Sequence, residues 1–215
     1  MLYQLINLNK WMLFICFVFI TIILSWLVKT YLPFEQIMVN SLSEQLSVER
    51  IKELTTTQKK WEWINYAIVP FILVIKWCLT AIPFYIGAIF FDIKLTFKKA
   101  YQIAMMSEVV FLVLLFVKFI WFYTHQDDLT LEYLQFFMPL SLISLFEINE
   151  LDKWFVYPLQ IVNLFEITYW AVLAFLLAKE IQKPLWKAFE FVLSTYCVGL
   201  SIWVIFISFL VLNYS

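Results

Sequence analysis

The sequence predicts an all-α protein: a polytopic transmembrane helix bundle of about five spanning helices with one short interfacial or re-entrant segment. Three observations carry this. The 215 residues are 64% hydrophobic and only 14% charged, with a mean hydropathy of +0.86. Soluble domains run near half apolar and a quarter charged, and a water-soluble core of this size cannot hide such an excess, so the excess faces lipid. The apolar residues also gather in runs of about 20, the length a helix needs to cross roughly 30 Å of hydrocarbon. Finally, Gly87 and Gly199 are the only glycines. That is too few for strands and turns, and no alternating pattern of an outer-membrane barrel is present.

Taken in order, the first span is residues 11–28, free of charge and bracketed by Lys10 and Lys29. Its apolar stretch is too long for a cleaved signal, and no small-x-small pattern precedes Lys29, so it reads as a retained anchor. Residues 30–62 form a polar loop with nearly balanced charges. Within it Ser41 and Glu44 make a capping box ahead of Leu46, Ile51 and Leu54, which predicts a short surface helix. The second span, 64–91, contains Pro70, Lys76 and Pro83, and the third, 101–123, carries Glu108 and Lys118. Residues 136–146 are apolar but too short to cross, hence interfacial or re-entrant, within an acidic external loop 124–158. The fourth span is 159–178 with Glu166 inside, and the fifth is 188–212 with Glu190 near its start. The whole chain, 1–215, reads as one membrane domain.

Lysine placement sets the expected orientation. Lys94, Lys98 and Lys99 lie in loop 92–100, and Lys179, Lys183 and Lys187 in loop 179–187, whereas loop 124–158 has only Lys153. The positive-inside rule puts the two basic loops and the N-terminus in the cytoplasm. The five basic residues between positions 29 and 60, which would then be external, run against it.

Ionisable residues at bilayer depth are functional candidates by default. Lys118 and Glu166 sit at similar expected depth, and an interhelical pair is the simplest way to satisfy both. Glu108 stands ten residues from Lys118, about 15 Å along a helix, so its expected partner is Lys76. Glu190 can reach water or Lys187. Such residues act either structurally, as pairs fixing helix register or as a carboxylate left protonated, or as a relay through Glu108, Glu166 and Lys118. Pairing and snorkelling are common and no aligned acidic ladder is visible, which favours the structural role.

No catalytic constellation is legible. His125 is the single histidine, no Asp lies within a span, and no nucleophile elbow or phosphate loop exists, so neither an enzyme nor a metal site is expected. Cys16, Cys78 and Cys197 lie far apart inside apolar runs and read as apolar residues. With a net charge of −1, no nucleic-acid partner is expected, and no cofactor. The expected partners are the lipid bilayer and other membrane proteins.

Several stretches resemble the Yip1 family of five-span membrane proteins in its bacterial form. They are KLTFKKA at 94–100, PLSLISLF at 139–146, YPLQIVNLFEITYW at 157–170 followed by VLAFLLAKEI, and the last span after WKAF. The likeness covers residues 85–212. The acidic Tyr-Gly-Pro signature of eukaryotic members is missing, so their GTPase-linked trafficking role is not carried over. The resemblance implies a five-helix bundle without known chemistry, a scaffold or adaptor of membrane organisation in a bacterial cytoplasmic membrane. The alternative expectation is a small-solute or ion transporter, or a permease subunit, using Glu108, Glu166 and Lys118.

Overall fold

The computed structural model describes residues 10–43, 46–126, 129–147 and 151–214. Among these residues the chain is helical between its connections, with one isolated antiparallel bridge, Ser141 to Asn163, and no strand. Ten α-helices follow in order: α1 (Lys10–Tyr31), α2 (Phe34–Leu42), α3 (Val48–Phe90), α4 (Phe97–Ser107), α5 (Val109–Thr124), α6 (Leu131–Phe136), α7 (Lys153–Ile161), α8 (Leu164–Ile181), α9 (Leu185–Val192) and α10 (Val198–Tyr214). Four helical paths are long and apolar enough to cross a membrane: α1, α3, α4 with α5, and α9 with α10. The protein is a multi-pass helical membrane protein.

The sequence's fourth span takes a different form. Lys153–Ile161 and Leu164–Ile181 are two helices separated at Val162 and Asn163, so the helical path begins at Lys153 rather than Leu159. In its 18 residues α8 carries Glu166, Lys179 and Glu180, which separates it from the four apolar paths. It is nevertheless the centre of the bundle. Tyr169, Leu173, Leu176 and Leu177 are almost wholly buried, packed with Ala81 and Phe84 of α3, Ala100 and Ile103 of α4, and Ala188 and Phe191 of α9. By contrast α10 has no buried residue and α1 only Phe17 and Leu24, so these two present most of their surface outward to lipid. Ion pair Lys99–Glu180 and the proximity of Lys10 to Lys98 and Lys99 fix one end of the bundle, the basic end. From the opposite end, reached by α5, α7 and α8 return the chain to the basic end, from which α9 departs.

The polar region 30–62 is mostly helix rather than loop. Helix α3 runs 43 residues, about 64 Å, and its first 15 residues extend the second span well past the apolar stretch. Its N-cap is Ser47, whose side chain accepts from the Arg50 N–H. Ser41, expected to open a helix, lies instead in the last turn of α2. Ser41 Oγ accepts from the Leu131 N–H at 2.9 Å, tying α2 to α6, while Glu44 lies outside the described residues.

Both glycines serve one helix crossing. A Cβ on Gly87 would stand 2.1 Å from Thr195 Cγ2, and one on Gly199 would stand 2.9 Å from Pro83 Cγ. Without side chains at these two positions, α3 approaches the α9–α10 path closely, a contact that needs no small-xxx-small stripe.

Candidate functional site

Two carboxylates sit in the middle of the bundle, each bound differently. Glu108 is 4% exposed and accepts from Lys76 Nζ at 2.7 Å and from Trp77 Nε1 at 3.1 Å. Lys76 is 14 residues from either end of the stretch between Glu62 and Phe90, which places this pair near mid-bilayer. The ammonium also lies 3.5 Å from the centroid of the Phe111 ring, where the negative face of the ring attracts it. The partner expected for Glu108 from axial spacing is therefore the one it has.

Glu166 is 5% exposed and accepts from two neutral donors, Trp170 Nε1 at 2.9 Å and Tyr196 Oη at 2.8 Å. The predicted Lys118–Glu166 pair is absent. Lys118 stands 5.8 Å from the Phe122 ring centroid instead. The reason is the interruption at Val162 and Asn163, which restarts the helix and turns Glu166 toward α9 and α10. Depth disagrees as well. Phe111 packs on Tyr169 at 4.8 Å, and Lys118 lies about 10 Å along α5 from Phe111, whereas Glu166 lies only about 5 Å from Tyr169.

Between the two carboxylates stands Tyr169. Its hydroxyl is 3.3 Å from Thr80 Oγ1, one turn after Lys76, and its ring lies 5.5 Å from that of Tyr196. Thr80, Tyr169 and Tyr196 thus place three hydroxyls in the region between the centres.

Three of the four helical paths that supply this site are irregular there, whereas α3, which carries Lys76, Trp77 and Thr80, runs through it unbroken. The α4–α5 path tightens at Glu108, where the Phe111 N–H donates to the Glu108 carbonyl at 2.9 Å. Residues 193–197 form a π-helical turn, which inserts an extra residue and directs Tyr196 at Glu166. The third irregularity is the α7–α8 break. Asn163 caps α8 by accepting from the Glu166 N–H at 2.8 Å. The freed backbone groups are met by segment 136–146: the Leu142 N–H donates to the Val162 carbonyl, and the Leu164 N–H to the Leu140 carbonyl, both at 3.0 Å. Non-helical backbone survives in a bundle only when protein satisfies it in this way. Leu140 adopts φ +56°, a left-handed conformation costly for a branched side chain. Segment 136–146, expected to be interfacial or re-entrant, therefore closes a helix break.

A cavity of about 560 Å³ leads toward this break from the end opposite the basic one. Glu132, Lys153, Tyr157 and Gln160 line it together with Ile207 and Val211 of α10. The Gln160 carbonyl accepts from Asn163 Nδ2 at 2.9 Å, so the cavity wall connects directly to the cap that orients Glu166.

The remaining predicted residues sit at the periphery. Lys187 Nζ meets Glu190 Oε2 at 3.1 Å, the pairing expected for Glu190. Lys94 and Lys183 line a small cavity with Glu180 at the basic end, and Lys179 lies 4.4 Å from the Phe175 ring centroid. Among the described residues, no group of three or more His, Cys, Asp or Glu side chains could hold a metal. Sequence reading missed Trp77, Thr80, Asn163, Tyr169, Trp170 and Tyr196. Only Asn163 gave a usable signal, since Asn followed three residues later by Glu is a helix-start pattern. No protein-family model, curated protein or solved structure matches the chain.

Proposed function

We propose that this protein moves protons across its membrane, alone or coupled to a small solute, with Glu166 as the group that takes up and releases the proton. The observation that carries the reading is the convergence of three helix irregularities on two buried carboxylates. Interrupted helices at bilayer depth are a recurring construction of transporter sites, and π-turns cluster at functional positions. The roles of the two acids divide by their partners. Glu108 faces a cation and serves as a fixed counter-charge. Glu166 has neutral donors, and a carboxyl in an apolar interior without a cation is the kind of group that neutralises itself with a proton. The cavity lined by Tyr157 and Gln160 supplies access from one side. Lys118, which meets neither carboxylate, is left out of the relay.

The lysine rule supports the basic end lying in the cytoplasm, which directs the cavity outward. The likeness of residues 85–212 supports placing the chain with the bacterial-type Yip1 family, and so in a bacterial cytoplasmic membrane. A second reading, an adaptor for other membrane proteins, is favoured by one feature: the α3 extension with α2 and α6 forms an extramembrane platform exposing Val48 and Trp61.

Replacing Glu166 by Gln separates the two, because glutamine keeps the shape but cannot shuttle a proton. In proteoliposomes holding a pH-sensitive dye, the parent chain is expected to dissipate an imposed proton gradient and Glu166→Gln to lose that activity at unchanged yield and folding. Equal leak from both chains rejects the relay.

A further inference from the structure

A second cavity, also about 560 Å³, lies at the outer edge of the bundle between α1, α2 and α3, well away from the carboxylates. Four charges stand on its wall: Lys29, Glu35, Lys59 and Glu62. They form two ion pairs, Lys29–Glu62 at 2.5 Å and Lys59–Glu35 at 3.3 Å, and Lys59 also lies close enough to Glu62 for its charge to act there. Tyr66 Oη donates to Glu62 at 3.1 Å. Ion pairs near the surface contribute only modestly to stability, so two of them gathered around one cavity point to recognition besides the tie they make between helices.

The cavity continues inward. An apolar groove of about 200 Å³ is lined by Ile22, Ile23, Trp26 and Tyr66, and Tyr66 belongs to both spaces. On α1 these residues lie one to two turns deeper than Lys29. Around the charged cavity, Trp26, Tyr31, Trp61 and Trp63 are all at least half exposed, an aromatic belt of the kind that sits at headgroup level. The result is a balanced charged chamber at the interface with an apolar channel running from it toward the hydrocarbon.

We infer that this paired space binds a zwitterionic phospholipid, with its phosphate on Lys29 and Lys59, its ammonium on Glu35 and Glu62, and the start of one acyl chain against Ile22, Ile23 and Trp26. Two positive and two negative groups match a headgroup of no net charge. An anionic headgroup would satisfy the lysines but leave both carboxylates facing negative charge. The groove supplies what a free headgroup compound could not use, so the occupant is a lipid. The inference is independent of the proton relay, which shares no residue with this site.

The test uses the full chain in detergent micelles, with thermal unfolding followed as lipid is added. Dioctanoyl phosphatidylethanolamine should raise the unfolding temperature saturably, whereas dioctanoyl phosphatidylglycerol and chain-free glycerophosphoethanolamine should not. Two variants report on the two halves: the double variant Lys29→Gln/Lys59→Gln removes the phosphate contacts, and Ile23→Trp fills the groove without touching the charges. Each should weaken phosphatidylethanolamine binding by about tenfold or more. Should the double variant fail to fold, Ile23→Trp decides alone. Equal stabilisation by phosphatidylglycerol, an equal response to the chain-free compound, or a folded variant that binds like the parent overturns the assignment.

Discussion

Glu108 and Lys76 illustrate how a charged pair survives in hydrocarbon. The carboxylate is held by an ammonium and an indole N–H, and the ammonium also rests on the Phe111 ring. Removing one partner of such a pair leaves the other uncompensated, which costs more than removing both. Lys76→Met should therefore lower the unfolding temperature in detergent, and Lys76→Met/Glu108→Gln should recover much of the loss. A double variant less stable than the single one would show that Glu108 does not depend on Lys76. Glu62, outside the apolar stretch 64–91, gives a prediction in pH. The Lys29 ammonium bonded to its carboxyl, helped by Tyr66 and the charge of Lys59, holds it below the usual carboxylate range despite some desolvation. A lowered carboxyl stabilises the fold above its unfolded value, and that contribution fades as pH falls through the folded one. The tie between α1 and α3 should thus be intact at neutral pH and loosen below about pH 4.5, the ordinary value. Comparing acid unfolding of the parent with Glu62→Gln checks this, since the variant should lack that part of the acid dependence.

At the scale of the helices, what the sequence reveals depends on straightness. The Lys76–Glu108 pair is legible because axial spacing ranks the partners correctly: ten helical residues rule out Lys118 for Glu108, and Lys76 lies on the neighbouring helix. The same reasoning fails for Lys118 and Glu166 because α7 and α8 are two helices, and a break resets both depth and facing. The pattern Asn163-x-x-Glu166 signals that restart, yet inside a long apolar run the hydropathy masks it. The contribution of Tyr169 and Tyr196 was hidden for another reason: in a chain with 11 tyrosines and 23 phenylalanines, nothing local marks the one that bonds Glu166 or the one that stands between the two carboxylates. Polar segment 30–62 shows the opposite error, where low hydropathy suggested a loop although α3 runs on from the membrane as continuous helix. The glycine crossing yields a prediction at this scale. A methyl on Gly87 meets the Thr195 methyl at well below contact distance, so Gly87→Ala should destabilise the bundle by about 1–3 kcal/mol. Thr195→Ser, which deletes that methyl and keeps the hydroxyl bonded to the Phe191 carbonyl, should restore most of it. If Gly87→Ala melts like the parent, the two helices do not approach as closely as this.

For the whole molecule, the distribution of charge over the two ends decides how any relay would be directed. The basic end gathers Lys10, Lys98 and Lys99 with Lys94 and Lys183, and only Glu180 among nearby acids is bonded to one of them. At the other end the basic residues that count against this orientation are largely matched: Lys29 with Glu62, Lys59 with Glu35, and Arg50 with Glu53. Several of them also stand far out along the α3 extension rather than at the bilayer edge, where lysines govern insertion. Exposed positions make the orientation measurable. In a chain with Cys16, Cys78 and Cys197 replaced by Ala, single cysteines at Thr57 and Glu147 should react with an impermeant maleimide in intact cells. Cysteines at Lys94 and Gln182 should react only after the membrane is opened. With that orientation the cavity beside Tyr157 and Gln160 faces outward, so protons reach Glu166 first from outside, and blocking a cysteine placed at Gln160 from that side should stop dissipation of the gradient. The reverse labelling pattern would turn the cavity toward the cytoplasm and invert the direction of access, whereas labelling of all four positions from one side would be incompatible with their lying at opposite ends of the bundle.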